Sequence, residues 1–141
     1  MRIVPNAFRY RRRVQFAETD QAGIVHFSWL FRYMEEAEHA LWRAAGLSIA
    51  PRDDDGIGWP RVSASFDFKS PLFFEDEFEV CVSLSQVTRR TIQYAFTVVR
   101  GETVIGAGAM TSACVEKRPG GSMQAVELPA GLLERLQAAG A

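Results

Sequence analysis

The sequence predicts an α+β domain in which one long helix lies against a mostly antiparallel sheet of five strands, with a short helix near the C-terminus. Three observations carry this reading. A single run, Trp29 to Ala45, has helical periodicity; the runs around it alternate with period two; and the last four of those follow one another through short turns, which makes neighbouring strands antiparallel.

The first strand, Phe8 to Phe16, sets Phe8, Tyr10, Val14 and Phe16 on one side and Arg9, Arg11, Arg13 and Gln15 on the other. The basic run Arg9, Arg11, Arg12 and Arg13 is therefore expected on the solvent face of a strand. In the helix, Leu30, Met34, Ala37, Leu41 and Ala44 recur at steps of four and three. Arg32, Glu35, Glu36, Glu38, His39 and Arg43 fall elsewhere around the wheel, and Glu35 and His39 have the spacing of an exposed i, i+4 ion pair. Ser28 is the expected N-cap and Gly46 the expected stop.

Residues 48–58, with a proline, three successive aspartates and two glycines, read as a loop. Val62, Ala64, Phe66 and Phe68 then alternate against Ser63, Ser65, Asp67 and Lys69, and Phe78, Val80, Val82 and Leu84 against Glu77, Glu79, Cys81 and Ser83. Ile92, Tyr94, Phe96 and Val98 continue the alternation after a turn at Thr88-Arg89-Arg90. A long last strand, Thr103 to Val115, carries the small residues Gly106-Ala107-Gly108-Ala109, which admit close approach of another backbone. Pro119 to Ser122 ends the sheet region, and Pro129 to Ala139 reads as the short helix. Residues 1–141 are expected to form a single domain, with its core at about 8–117 and an extension at 118–141.

With 48% hydrophobic and 23% charged residues and a formal net charge of -1, the chain offers no broad attraction for nucleic acid. No apolar stretch approaches the ~20 residues that span a bilayer, and residues 1–6 lack the apolar core of a leader. Cys81 and Cys114 lie on separate predicted strands without metal-ligand spacing and are expected as reduced thiols of a cytoplasmic protein.

The chemistry concentrates between Glu18 and Ser28. Asp20 stands just ahead of a small-residue turn, Gln21-Ala22-Gly23, and a helix N-terminus follows. A base or nucleophile thus sits beside backbone N–H donors suited to an oxyanion. His26, at the loop–helix boundary, is a candidate general acid or substrate-orienting group.

The run Phe16-Ala17-Glu18-Thr19-Asp20-Gln21-Ala22-Gly23-Ile24-Val25, followed by Tyr33-Met34-Glu35-Glu36-Ala37, resembles the hotdog-fold acyl-CoA thioesterases, in particular the 4-hydroxybenzoyl-CoA thioesterase-like group. Phe68-Lys69-Ser70-Pro71-Leu72 with Glu75 to Val80 resembles the family's strand–proline–acidic turn–strand segment. Two departures stand out. One branch has histidine seven residues after the aspartate, where this chain has Phe27, and many members have Ala-Arg where this chain has Ala37-Glu38.

The resemblance implies hydrolysis of an acyl-CoA thioester to free acid and CoA, with no metal and no cofactor, CoA being part of the substrate. Asp20 would act as base or nucleophile, and the Phe27 N–H would receive the oxyanion. Glu35, Ser63 and Ser65 are candidate assisting groups across a subunit interface. Gly23 belongs to the motif's turn, Arg89 and Arg90 match basic residues that contact CoA phosphates, and Trp59 or Phe27 would line the acyl tunnel. One sheet leaves part of the helix uncovered, so a homodimer or homotetramer is expected, without nucleic-acid or membrane partners. A carrier-protein thioesterase and a non-catalytic acyl-thioester binder remain alternatives.

Overall fold

The computed structural model describes residues 7–141; residues 1–6, read above for a leader, lie outside the described residues. In chain order the elements are β1 (Phe8–Arg13), α1 (Phe27–Ala44), β2 (Ile57–Gly58), β3 (Arg61–Phe68), β4 (Glu77–Val87), β5 (Thr91–Arg100), β6 (Thr103–Ala113), β7 (Val115–Lys117), β8 (Met123–Ala125) and α2 (Leu132–Ala138).

Five strands form one antiparallel sheet in the order β1-β4-β5-β6-β3. Its register sets Arg13 opposite Glu77, Val80 opposite Val98, and Phe96 and Phe66 on either side of Gly108. α1 lies on one face and buries Leu30, Tyr33, Met34, Ala37 and Leu41 against Phe78, Val80, Tyr94, Phe96 and Met110. The expected close approach occurs at Gly106 and Gly108. A Cβ on Gly106 would overlap the Asp67 carbonyl and the Phe66 ring; one on Gly108 would overlap the Ser65 carbonyl and stand 2.8 Å from the Met34 sulfur.

The first strand is shorter than its alternation suggests. It ends at Arg13, a single 3-10 turn occupies Phe16–Glu18, and Phe16 is 74% exposed. Arg12 is not on the solvent face: period two puts it on the same side as Tyr10, against α1, where it meets carboxylates. α1 begins two residues earlier than expected and its N-cap is His26, not Ser28; the imidazole Nδ1 accepts the Ser28 N–H at 3.3 Å as a capping oxygen would.

Glu38 is buried rather than at the surface, at 1% exposure. Glu35 and His39 do not pair with each other: Glu35 lies 3.9 Å from Arg61, and His39 lies 3.6 Å from Glu38. A second, three-stranded sheet, β2-β7-β8, takes the end of the predicted loop, the end of the predicted long strand and a segment of the extension. β1 and β3 are the two edges of the main sheet, and Val62 and Phe68 are exposed on β3.

Candidate active site at the start of the long helix

The loop between the 3-10 turn and α1 folds back on itself as a narrow hairpin. Thr19 and Val25 form an isolated antiparallel bridge, the Asp20 N–H donates to the Ile24 carbonyl at 2.9 Å, and the Gly23 N–H donates to the Asp20 carbonyl at 3.0 Å. Gly23 closes this turn at φ 82°, the left-handed region in which glycine carries no Cβ penalty. Asp20 Oδ1 accepts the Ala22 N–H at 2.8 Å, a short-range Asx bond that fixes the carboxylate plane. Among the described residues Oδ2 has no hydrogen-bond partner, so it is the oxygen available for chemistry.

The hairpin is tied down on both sides. The Val25 N–H donates to the Leu72 carbonyl and Ile24 bridges Phe73, which fastens it to the β3–β4 connection. The His26 N–H donates to the Glu18 carbonyl at 2.9 Å. Between these walls lies a cavity of about 490 Å³, with Asp20, Phe27 and Leu30 on one side and Phe68, Leu72 and Ile105 on the other. Lys69 and Ser70 add polar groups to the lining. Phe27 is the first residue of α1, so its N–H lies among the helix-start donors that have no intrahelical acceptor. The cavity therefore brings together a carboxylate, a helix N-terminus and an apolar wall.

Beneath the loop is an ionic cluster of residues expected at the surface. Glu18, 3% exposed, accepts Arg12 Nη1 at 2.7 Å and Nη2 at 2.6 Å, the Tyr33 hydroxyl at 2.7 Å and the Gln15 N–H at 2.9 Å. Burial alone would raise its carboxyl pKa. The Arg12 hydrogen bonds, with those of Gln15 and Tyr33, outweigh burial and hold it below the usual carboxylate value. Burial, then the Glu18 carboxylate, push the Tyr33 phenol up. Arg12 also reaches Glu36 at 3.0 Å, and Glu36 accepts the Tyr10 hydroxyl at 3.0 Å. The sequence signal for this cluster is the parity of Arg12 with Tyr10 and Val14, which marks it as inward-facing.

The other expected site residues are scattered. His26 is exposed, caps α1 and lies tilted against Phe27 with ring centroids 4.6 Å apart, and Gly23 shapes the turn without lining the cavity. Glu35 lines a separate cleft with Ser28 and Arg61, and Ser63 and Ser65 are exposed on the β3 edge. Trp59 packs edge-on against Trp42 at 5.1 Å, away from the cavity lining. Arg89 and Arg90 are exposed on the β4–β5 turn, where Arg89 pairs with Glu127 at 3.2 Å. That turn lies at the opposite end of the sheet from Asp20: β4 has 11 residues, which at ~3.3 Å each separate the two ends by roughly 30 Å. Among the described residues no three His, Cys, Asp or Glu side chains stand together as a metal site.

Comparison with known proteins follows the same lines. The sequence profile described as the thioesterase-like superfamily matches residues 14–136. A protein of Aquifex aeolicus, provisionally named an esterase, is 38% identical over 130 residues, covering 92% of this chain and 98% of that protein. The 1,4-dihydroxy-2-naphthoyl-CoA hydrolase of Nostoc punctiforme is 24% identical over 132 residues, covering 93% of this chain and 87% of the hydrolase. Among solved structures, a gentisyl-coenzyme A thioesterase superposes with a TM-score of 0.78 at 26% identity, covering 86% of this chain and 96% of the other.

Proposed function

The chain belongs to the thioesterase-like superfamily and has the hotdog fold of its relatives, and from that premise we propose that it hydrolyses an acyl-CoA thioester to a free acid and CoA. The observation that carries the reading is the Asp20 carboxylate in the cavity wall beside the first N–H of α1. With the acyl group against Phe68, Leu72 and Ile105, the thioester carbonyl is directed toward the Phe27 N–H. In one form, Asp20 Oδ2 takes a proton from water while the hydroxide adds to the carbonyl carbon. The oxyanion is then held by the helix-start amides. Collapse breaks the C–S bond, and the thiolate takes the proton back. In the other form Oδ2 itself attacks, the C–S bond breaks as the CoA thiolate leaves, and water then hydrolyses the acyl anhydride, its proton going to the thiolate. Both forms use only the chain's own groups and water.

The proposal includes a homodimer built on β3. This strand leaves one row of backbone groups unpaired and carries Val62 and Phe68 in solvent, an arrangement suited to pairing with another strand. Two-fold antiparallel pairing of two such edges sets the Asp20 end of one sheet beside the opposite end of the other. Glu35, Ser63 and Ser65 of the partner subunit then approach the cavity mouth, and Arg89 and Arg90 of the partner subunit lie on the side where CoA phosphates would emerge. A cytoplasmic location fits the free, buried thiols of Cys81 and Cys114. No helix among the described residues is long and apolar enough to cross a membrane.

The test is turnover of a panel of hydroxyaryl-, short-chain and medium-chain acyl-CoAs, with carrier-linked esters alongside, by the wild type and Asp20→Asn. Release of CoA thiol that disappears in the variant supports the reading. Absence of release in the wild type, or equal release in both, overturns it.

A further inference from the structure

We propose that Glu18 is a positioning residue, whose buried carboxylate holds the Asp20 hairpin in register with the N-terminus of α1 through Arg12 and Tyr33; this rests on the reading of Asp20 as the reacting group. Four hydrogen bonds converge on Glu18 from three places: Arg12 on β1, Gln15 at the turn and Tyr33 inside α1. The backbone carbonyl of the same residue accepts the N–H of His26, the N-cap of α1. One residue thus joins the first strand, both mouths of the hairpin and the body of the helix.

Asp20 has no comparable anchor. Its bonds to Ala22, Gly23 and Ile24 stay within the hairpin, so they set the shape of the turn but not its distance from the Phe27 N–H. The Leu72 and Phe73 contacts tie the hairpin to the β3–β4 connection and leave its height along α1 to Glu18. Taking Arg12 and Glu18 out of water is costly, and well-packed apolar side chains would serve stability as well. The cluster is better accounted for by what it orients. A shift of 1 Å at a reacting group is enough to slow a reaction by up to about a hundredfold.

Two variants test this. Glu18→Gln keeps the shape of the side chain but loses the charge that draws Arg12, whereas Tyr33→Phe removes one bond and leaves the Arg12 pair in place. Backbone hydrogen exchange, read for residues 20–27 against β5, reports the hairpin directly. We expect those amides to exchange at least about tenfold faster in Glu18→Gln, and less so in Tyr33→Phe, with β5 unchanged. In turnover, kcat falls about tenfold or more in Glu18→Gln and about threefold in Tyr33→Phe, with KM within twofold of wild type.

Hairpin exchange identical to wild type in the folded variants overturns the proposal, as does a loss of activity that only tracks the fraction unfolded. If Glu18→Gln does not fold, Tyr33→Phe decides by the same two readings. If the wild type turns over none of the esters, the thioesterase reading fails by itself, and the exchange measurement still supports or overturns the anchoring role.

Discussion

Arg61 grips Glu38 through two N–H···O bonds of 2.7 and 2.6 Å, which joins β3 to the buried face of α1. The same guanidinium donates to the Ser112 hydroxyl at 2.7 Å, and Glu38 is almost fully withdrawn from water. A charge so enclosed is tolerable only while its partner is present. Arg61→Met strands the carboxylate and is expected to lower stability by about 3 kcal/mol, read by urea unfolding. The double variant, with Glu38→Met added, recovers most of that loss. A single-variant cost below about 1 kcal/mol would show that water reaches Glu38.

Asp20→Asn keeps the oxygen that accepts the Ala22 N–H, so the hairpin retains its internal bond. Stability is expected to stay within about 0.5 kcal/mol of wild type. The amide can neither take a proton nor attack, and kcat is expected to fall by about a hundredfold or more. Thermal unfolding and steady-state turnover on the same samples separate the two effects. A variant as active as its parent would remove Asp20 from the reaction.

The depressed carboxyl pKa of Glu18 fixes the sign of an acid effect. Its folded pKa lies below the ordinary value of a glutamate carboxyl, so the unfolded chain binds the proton first. The stabilisation is present above that value and declines as pH falls through the folded pKa. Unfolding free energies measured downward from pH ~5 should decrease more steeply for wild type than for Glu18→Gln, which has nothing to protonate at that position. Parallel pH curves would mean that Arg12 does not discriminate between the two states of the carboxyl.

Arg89 and Arg90 give a different signature. The Arg89–Glu127 pair is exposed on both sides and contributes little to stability. Arg89→Ala with Arg90→Ala should leave the melting temperature unchanged and raise KM for acyl-CoA by about fivefold at low salt, with kcat preserved. The increase should shrink as salt is added. An unchanged KM would place the CoA phosphates elsewhere.

α1 and the five long strands were legible because their signals are local: a helical or period-two pattern needs only neighbours in sequence. The Asp20 loop was legible for the same reason, since carboxylate, turn glycine and helix start are contiguous. β2, β7 and β8 span two or three residues each, too few for alternation to register. The wall formed by Phe68, Leu72 and Ile105 meets Asp20 only through tertiary folding, so nothing near position 20 announces it. Arg12, Glu18 and Glu38 escaped because charge in an alternating or amphipathic pattern reads as surface. Their burial depends on partners that only tertiary packing supplies. His26 caps the helix by a ring nitrogen, outside the usual set of capping oxygens.

β4 keeps Arg89 and Arg90 at the far pole of the sheet from Asp20. On the proposed pairing, a lone chain carries the two halves of its grip on the substrate at opposite ends and closes neither. Two chains laid head to tail make two complete grips at once. Turnover per chain would then depend on concentration, and dilution alone, with every fold intact, would switch the catalyst off.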